Sequence, residues 1–324
     1  MENILSIYNT NRFYHLYHVL LHNQMIKTIG IINTQNIFHY LSIDGIQRFI
    51  HVQPYFQTLK IYQILKMKIQ FESSVACNSN CIFCPIRDIT RPKGEMSDEL
   101  FHKIIKESKV FRNPEIVPFL NGEPFLFPRI WEWLDYMKKE KCHVYLFTNA
   151  ALMDVDRLIK YTNIRYVCCS VNASTKETHK NVMRGPDYDV VEAKVKDLIK
   201  KAPFPVYVSM VEVEKNIHEK EEFKKKWGKN AVFGEFKNWG GDKHDKLERT
   251  GKRVPCLSLL RAITILWDGR VAICCLDYDG KLIVGDANKQ TLLEINIELN
   301  KIRKRHKELD FNFEPCRKCN QNIV

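Results

Sequence analysis

The sequence predicts an α/β fold, and three observations predict it. From Met67 to about residue 245, short β-branched or aromatic runs alternate with amphipathic charged stretches; loops rich in Gly, Pro or Asn separate them; and the polar residues of chemical interest fall just after the strands. Strands are expected near 67–72, 116–120, 143–147, 165–171, 205–212 and 232–237, and helices near 98–109, 129–140, 154–161, 187–201 and 219–227. Strands separated by helices pair in parallel through right-handed crossovers, which gives either an open sheet or an incomplete barrel. Ser97 before Asp98 and Glu99 marks one helix start, and Pro128 before Arg129 another. After about residue 246 the rhythm stops and a turn-rich, cysteine-bearing segment begins. Three regions are therefore expected: an N-terminal extension of unknown role (1–65), the βα region (66–245) and a small C-terminal module (246–324).

The chain has 324 residues, 45% of them apolar, enough for a sizeable core. No run is long enough to cross a bilayer, and the apolar stretch from Tyr14 to Leu21 carries His15 and His18 and no small-residue cleavage site after it. A cytoplasmic location with reduced thiols is expected, and the odd count of 11 cysteines, clustered at short spacings, argues for metal ligation over disulfides. The net charge of +12 suits an acidic partner, but no basic stripe with interleaved aromatics stands out, so nucleic acid is not the expected ligand. A metal-stapled nucleic-acid-binding protein is the non-enzymatic alternative. Lys301 to Lys307, flanked by Glu298 and Glu308, reads as an exposed helix face.

Cys77, Cys81 and Cys84 place three thiolates within eight residues of a loop directly after the first strand. Structural zinc takes four ligands, and no fourth lies nearby, so zinc needs a distant residue. Three thiolates on a four-iron cubane instead leave one iron open to chelate the amino and carboxylate groups of S-adenosylmethionine (SAM). A second set comprises Cys256, then Cys274 and Cys275 after Trp267-Asp268-Gly269, then Cys316 and Cys319. Asp268-Gly269 is a tight-turn pair that brings these segments together as a hairpin. A zinc ribbon and a second iron–sulfur cluster both fit that set. Cys142, Cys168 and Cys169 lie in or beside strands and read as buried small apolar residues.

The C-x3-C-x2-C spacing, with Phe83 before the last cysteine and Pro85 after it, resembles the signature of the radical SAM superfamily, and the resemblance runs over about residues 67–319. It implies a partial, TIM-like (β/α)6 barrel with a small Cys-rich β-hairpin/helix module after it. It also implies a 4Fe-4S cluster on Cys77, Cys81 and Cys84 that binds SAM. Asn121-Gly122-Glu123-Pro124 looks like the family's Gly-Gly-Glu-Pro motif, with Asn in place of the first Gly, and Glu123 is suited to the methionine ammonium. Thr148 and Asn149, and Ser170 and Asn172, match the strand endings that line the nucleoside. Arg184 matches the arginine placed on the methionine carboxylate. From Cys256 onward the chain resembles the SPASM extension or its shorter twitch form: Gly269 to Cys274 and Cys316 to Cys319 fit, as do Asp277-Tyr278 and Gly285-Asp286. This implies an auxiliary 4Fe-4S cluster on Cys256, Cys274, Cys316 and Cys319, with Cys275 as the alternative to Cys274. With five residues after Cys319, one such cluster is expected and not two.

A fully ligated auxiliary cluster points to electron transfer and a net oxidation. The resemblance implies hydrogen-atom abstraction from a sugar-like or cyclitol metabolite, or alternatively oxidation or cross-linking of a peptide side chain. The expected partners are that small-molecule or peptide substrate and a flavodoxin- or ferredoxin-like electron donor. Candidate catalytic residues are Glu212 and Asn216 after the fifth strand and Asn238 and Trp239 after the sixth, with Trp239-Gly240-Gly241 as an edge of the substrate mouth, a mobile or closely approached loop.

Overall fold

A computed structural model of the chain describes residues 67–248, 250–321 and 323, so the expected N-terminal extension lies outside the described residues. Six parallel strands form the first part of the sheet: β1 (Lys68–Phe71), β2 (Glu115–Val117), β3 (His143–Thr148), β4 (Ile164–Ser170), β5 (Val206–Glu212) and β6 (Ala231–Glu235). Between them run α1 (Asp98–Ser108), α2 (Ile130–Lys139), α3 (Val155–Leu158), α4 (Lys176–Met183), α5 (Tyr188–Lys201) and α6 (Lys220–Trp227). Ser97 caps α1 as expected, its hydroxyl accepting from Leu100 N at 3.2 Å. Helix α4 was not legible: in Lys-Glu-Thr-His-Lys-Asn-Val-Met only Val182 and Met183 are apolar, and its buried face is completed by Thr178 and His179.

The sheet continues past the end of the βα rhythm. After α7 (Leu257–Arg261), β7 (Ala262–Ile265) pairs in parallel with β1, matching Ile69 with Ile263 and Gln70 with Thr264. Strands β8 (Arg270–Ala272) and β9 (Ile283–Asp286) then add in antiparallel fashion. The expected turn at Asp268-Gly269 joins β7 to β8, with Gly269 at φ +92°. The strand order is β6-β5-β4-β3-β2-β1-β7-β8-β9; the sheet does not close, as in a partial barrel.

Ile69 and Phe71 pack on the helical side against Phe101 of α1 and Trp133 of α2, whose rings stack at 4.0 Å. Residues alternating with them, such as Gln70, therefore face the concave side. Cys142, Cys168 and Cys169 are buried, as expected. The last helix, α8 (Leu292–Lys307), starts in a capping box between Thr291 and Glu294 and is tied to α1 by Lys103 Nζ, which donates to Ala287 O (2.8 Å) and Gln290 O (2.6 Å). Its basic end is not wholly an exposed face. Arg303 is buried, donating to the carbonyls of Leu259 and Ala262 and to Asn296 and Asn300, and His306 is buried one turn on. Among the described residues no helix is long and apolar enough to cross a membrane.

Candidate functional site

The first cysteine loop leaves the carboxyl end of β1 and is clamped from two sides. On one side Glu123 N donates to Ala76 O (2.8 Å), and a Cβ on Gly122 would meet Ser74 O at 2.6 Å, so only glycine lets the β2 loop approach this closely. On the other, Asn80 N and Ile82 N donate to the carbonyls of Met183 and Val182, both at 3.0 Å, at the end of α4. The Sγ of Cys81 lies 3.5 Å from Met183 Sδ, and Cys77 Sγ accepts from Ser79 N at 3.4 Å. Burial pushes all three thiols up, Cys84 to about 11, and at Cys81 the neighbouring Cys84 and Cys77 add to the effect. Three half-buried thiols near enough to oppose one another's ionisation form a donor set that cationic iron would deprotonate and hold. Among the described residues no three Cys, His, Asp or Glu side chains converge tightly enough for a single metal ion, whereas a multi-iron cluster bridges a wider triangle.

The strand endings gather around this loop. Glu123 is 3% exposed; its carboxylate accepts from Thr148 Oγ1 (2.6 Å), Asn149 N (2.7 Å) and Phe125 N (3.2 Å). Burial raises its carboxyl to about 7 in spite of these donors. Pro124 opens the short turn that Glu123 caps. Asn149 Nδ2 reaches back to Asn78 Oδ1 (2.7 Å) and Ser79 Oγ (3.0 Å) of the cysteine loop. Asn121 is buried, its side chain facing the Glu72 carboxylate without a close hydrogen bond from Nδ2. Asn172 is fully buried: Nδ2 donates to Met183 Sδ (3.1 Å) and Oδ1 accepts from Val211 N (2.7 Å). Ser170 instead pairs with Ser209 (3.5 Å). Arg184, in a left-handed conformation, joins Phe83 in lining an open cavity of about 590 Å³, completed by Val213, Glu214, Lys215, Phe236 and residues 244–246. Sequence reasoning missed Met183, which touches both Cys81 and Asn172; a methionine near a helix end carries no signal of its own.

The four candidate catalytic residues are not among the residues lining that cavity. Asn216 is fully buried, with Nδ2 donating to Asn172 O and Val211 O (both 2.9 Å) and Oδ1 accepting from Val213 N, so it holds the end of β5. Glu212 forms an ion pair with Lys220. Asn238 is buried and bonded to the 318–320 segment, and Gly240 and Gly241 lie close against Pro315 and Lys318, the closely approached loop that the glycine pair allows.

The second thiol set comes from separate segments. Cys256 caps α7, Cys274 and Cys275 follow β8, and Cys316 and Cys319 flank a single 3-10 turn. Burial raises Cys256, Cys274 and Cys316, Cys256 to about 11 and Cys316 to about 12; the adjacent thiol, Cys275 at Cys274 and Cys319 at Cys316, adds to it, and thiols of the other segments add further at all three. Cys274 is buried and Cys275 half-buried, and both lie within electrostatic reach of Cys256. His306 Nδ1 accepts from Cys256 N at 3.1 Å, leaving its buried Nε2 unpartnered. All these cysteines are free thiols, and converging free thiols on closed segments suit a fully ligated cluster.

Two sets of free thiols on a partial barrel suit iron–sulfur clusters. A profile of the radical SAM superfamily matches residues 71–227, and a second, described as an iron-sulfur cluster-binding domain (SPASM), matches residues 256–320. The chain thus carries a radical SAM domain followed by a SPASM domain. Its cofactors follow from the two domains: a 4Fe-4S cluster with SAM for the first, auxiliary iron–sulfur chemistry for the second. The mycofactocin maturase MftC of Mycobacterium tuberculosis is 25% identical over 160 residues; the match spans 48% of this chain and 40% of that protein's length. SuiB of Streptococcus suis, solved bound to precursor peptide SuiA, aligns over 82% of this chain and 72% of its own at TM-score 0.64 and 14% identity. BtrN in complex with AdoMet and 2-DOIA aligns over 79% and 94% at TM-score 0.57 and 19% identity. At these identities the structural likeness carries the fold alone.

Proposed function

We propose that the chain reductively cleaves SAM at a 4Fe-4S cluster held by Cys77, Cys81 and Cys84, abstracts a hydrogen atom from its substrate and completes a net oxidation. When bound, that cluster supplies the electron that splits SAM into methionine and the 5′-deoxyadenosyl radical. Glu123 accepts from the methionine ammonium, with Thr148 and Asn149 holding the carboxylate in place. Arg184 meets the methionine carboxylate, and Ser170 and Asn172 border the nucleoside. Cys256, Cys274, Cys316 and Cys319 would hold the auxiliary cluster, which would supply an electron acceptor for the net oxidation; Cys275 is the alternative to Cys274. The observation that carries this reading is the continuous hydrogen-bonded network from the cysteine loop through Asn149 to Glu123 and Thr148.

The cavity beside Phe83 and Arg184 is charged and of small-molecule size, which supports a sugar-like or cyclitol substrate. BtrN, whose chain is covered almost end to end, is consistent with that class. A peptide substrate is the second reading, favoured by the likeness to SuiB, solved with a precursor peptide. A flavodoxin- or ferredoxin-like donor, the basic balance of the chain and a cytoplasmic location complete the proposal. The test is anaerobic reconstitution, iron counting and a dithionite-driven assay for 5′-deoxyadenosine. About eight irons, with nucleoside formed by wild type and Cys316→Ala but not by Cys77→Ala, supports the reading. No nucleoside from the fully loaded wild type overturns it.

A further inference from the structure

Residues 238–241 join the two thiol sites, and the function proposed above gives them no part. After β6 the chain lies against the Cys316–Cys319 turn. Asn238 N donates to Asn320 Oδ1 (3.0 Å), Asn320 N donates back to Asn238 Oδ1 (3.1 Å), and Asn238 Nδ2 donates to Lys318 O (2.8 Å). A Cβ on Gly240 would sit 2.7 Å from Pro315 Cβ, so the two loops touch at their backbones. Trp239 between them takes φ +51°, a left-handed conformation that a bulky residue adopts only under constraint. Its indole N–H donates to Phe83 O at 2.8 Å, one residue before Cys84.

The Trp239 ring packs on an apolar patch of Val75, Ile86, Ile89 and Tyr278, and Cys77 and Cys84 pack on the same patch. Trp239 and Tyr278 stand edge to face, 6.2 Å between centroids. Tyr278 lies three residues after Cys275 and is fixed at both ends: its hydroxyl donates to Asp242 Oδ2 (2.8 Å) and its carbonyl accepts from Arg91 Nε (2.8 Å). The two rings thus connect the first thiol loop, through the Trp239 indole on Phe83 O, with segments of the second set, through Asn238 bonded to residues 318–320 and through Tyr278 on the chain that follows Cys275.

We propose that Trp239 and Tyr278 form the electron path between the two clusters. In the step they serve, one electron leaves the reduced auxiliary cluster, which is oxidised from the 1+ to the 2+ state, and arrives on the first cluster, which is reduced from 2+ to 1+. No bond forms or breaks and no proton moves. Packed rings shorten the through-space steps that tunnelling must cross, and the bond from the Trp239 indole to Phe83 O holds one ring against the first thiol loop. The proposal rests on the ligand sets assigned above.

The test uses the reconstituted enzyme with both clusters loaded and follows each cluster by rapid-freeze EPR after reduction, with SAM cleavage left out of the readout. Trp239→Leu and Tyr278→Leu are each expected to slow electron equilibration between the clusters by about tenfold or more, with iron content and both midpoint potentials unchanged. Trp239→Phe, which keeps a ring and loses the N–H, is expected to recover most of the rate. Unchanged equilibration in both leucine variants overturns the path, and so does loss of auxiliary iron in Trp239→Phe, because the ring would then be a prop. Failure of the underlying ligand assignment is distinguishable: one of the two cluster signals would already be missing from wild type.

Discussion

The two thiol sites are assembled in opposite ways. The first is local: three thiols on one loop of eight residues, held by main-chain hydrogen bonds from the β2 loop and the end of α4. The second has no local frame, since its thiols come from the cap of α7, the end of a hairpin and a turn beyond α8, and they meet only because β7 has docked on β1. A local loop can present its donors before the rest of the chain is ordered, whereas a site drawn from distant segments couples metal loading to folding. Loss of metal is therefore expected to loosen the C-terminal side more than the barrel.

The largest expected contrast lies in the ligands themselves. Cys81→Ala is expected to reduce 5′-deoxyadenosine formation to background while leaving the auxiliary iron, and Cys316→Ala to do the reverse; iron counting and nucleoside assay separate them. A common loss of both clusters in either variant would erase the distinction between a local and an assembled site.

Next comes Arg91, which joins the regions. Arg91 and Glu72 form a buried pair at 2.7 Å, while Glu72 also accepts from Trp267 N and Arg91 donates to Tyr278 O. Burial pushes the Glu72 carboxyl up even against the pull of Arg91, so Arg91→Met would strand a buried acid and cost about 3–5 kcal/mol in chemical denaturation. A cost under about 1 kcal/mol would mean that the pair is solvated and the regions are joined elsewhere.

Glu123 tests the first site alone. Its carboxyl lies near 7 in the folded chain against an ordinary 4.5, so its contribution to stability is fully present below pH 4.5 and is lost as pH rises through 7. Denaturation of the cofactor-free protein from pH 5 to 8 should show a decline on the order of 2–3 kcal/mol that Glu123→Gln flattens. A stability rising over that range in wild type alone would show that the three donors outweigh burial. Smallest is His306→Phe, which removes the acceptor for Cys256 N. We expect about 1–2 kcal/mol lost and a shifted auxiliary potential, with SAM cleavage unchanged.

How much of this was legible follows the distances along the chain. The six strands, the cap at Ser97 and the turn at Asp268-Gly269 were readable because propensity and turn chemistry act over a few residues. Asn216 and Asn238 show where that reach ends: each is a polar residue just after a strand, and nothing in the sequence foretells that its amide closes a buried turn. Helix α4 and Met183 escaped because so short and polar a helix has almost no apolar period to read.

The sequence by itself determined the chemistry: the spacing of Cys77, Cys81 and Cys84, the Asn121–Pro124 motif and the paired cysteines near the end are contiguous patterns whose meaning lies in their residue types. Only the tertiary structure decided how those pieces meet. The pairing of β7 with β1, the bond from Trp267 N to Glu72 across 195 residues and the reach of Trp239 to Phe83 across 156 are contacts between segments with no local code for each other. Their physical reason is shared burial: apolar and hydrogen-bonding groups that no neighbour in sequence could satisfy find partners only when distant segments pack onto the assembled sheet.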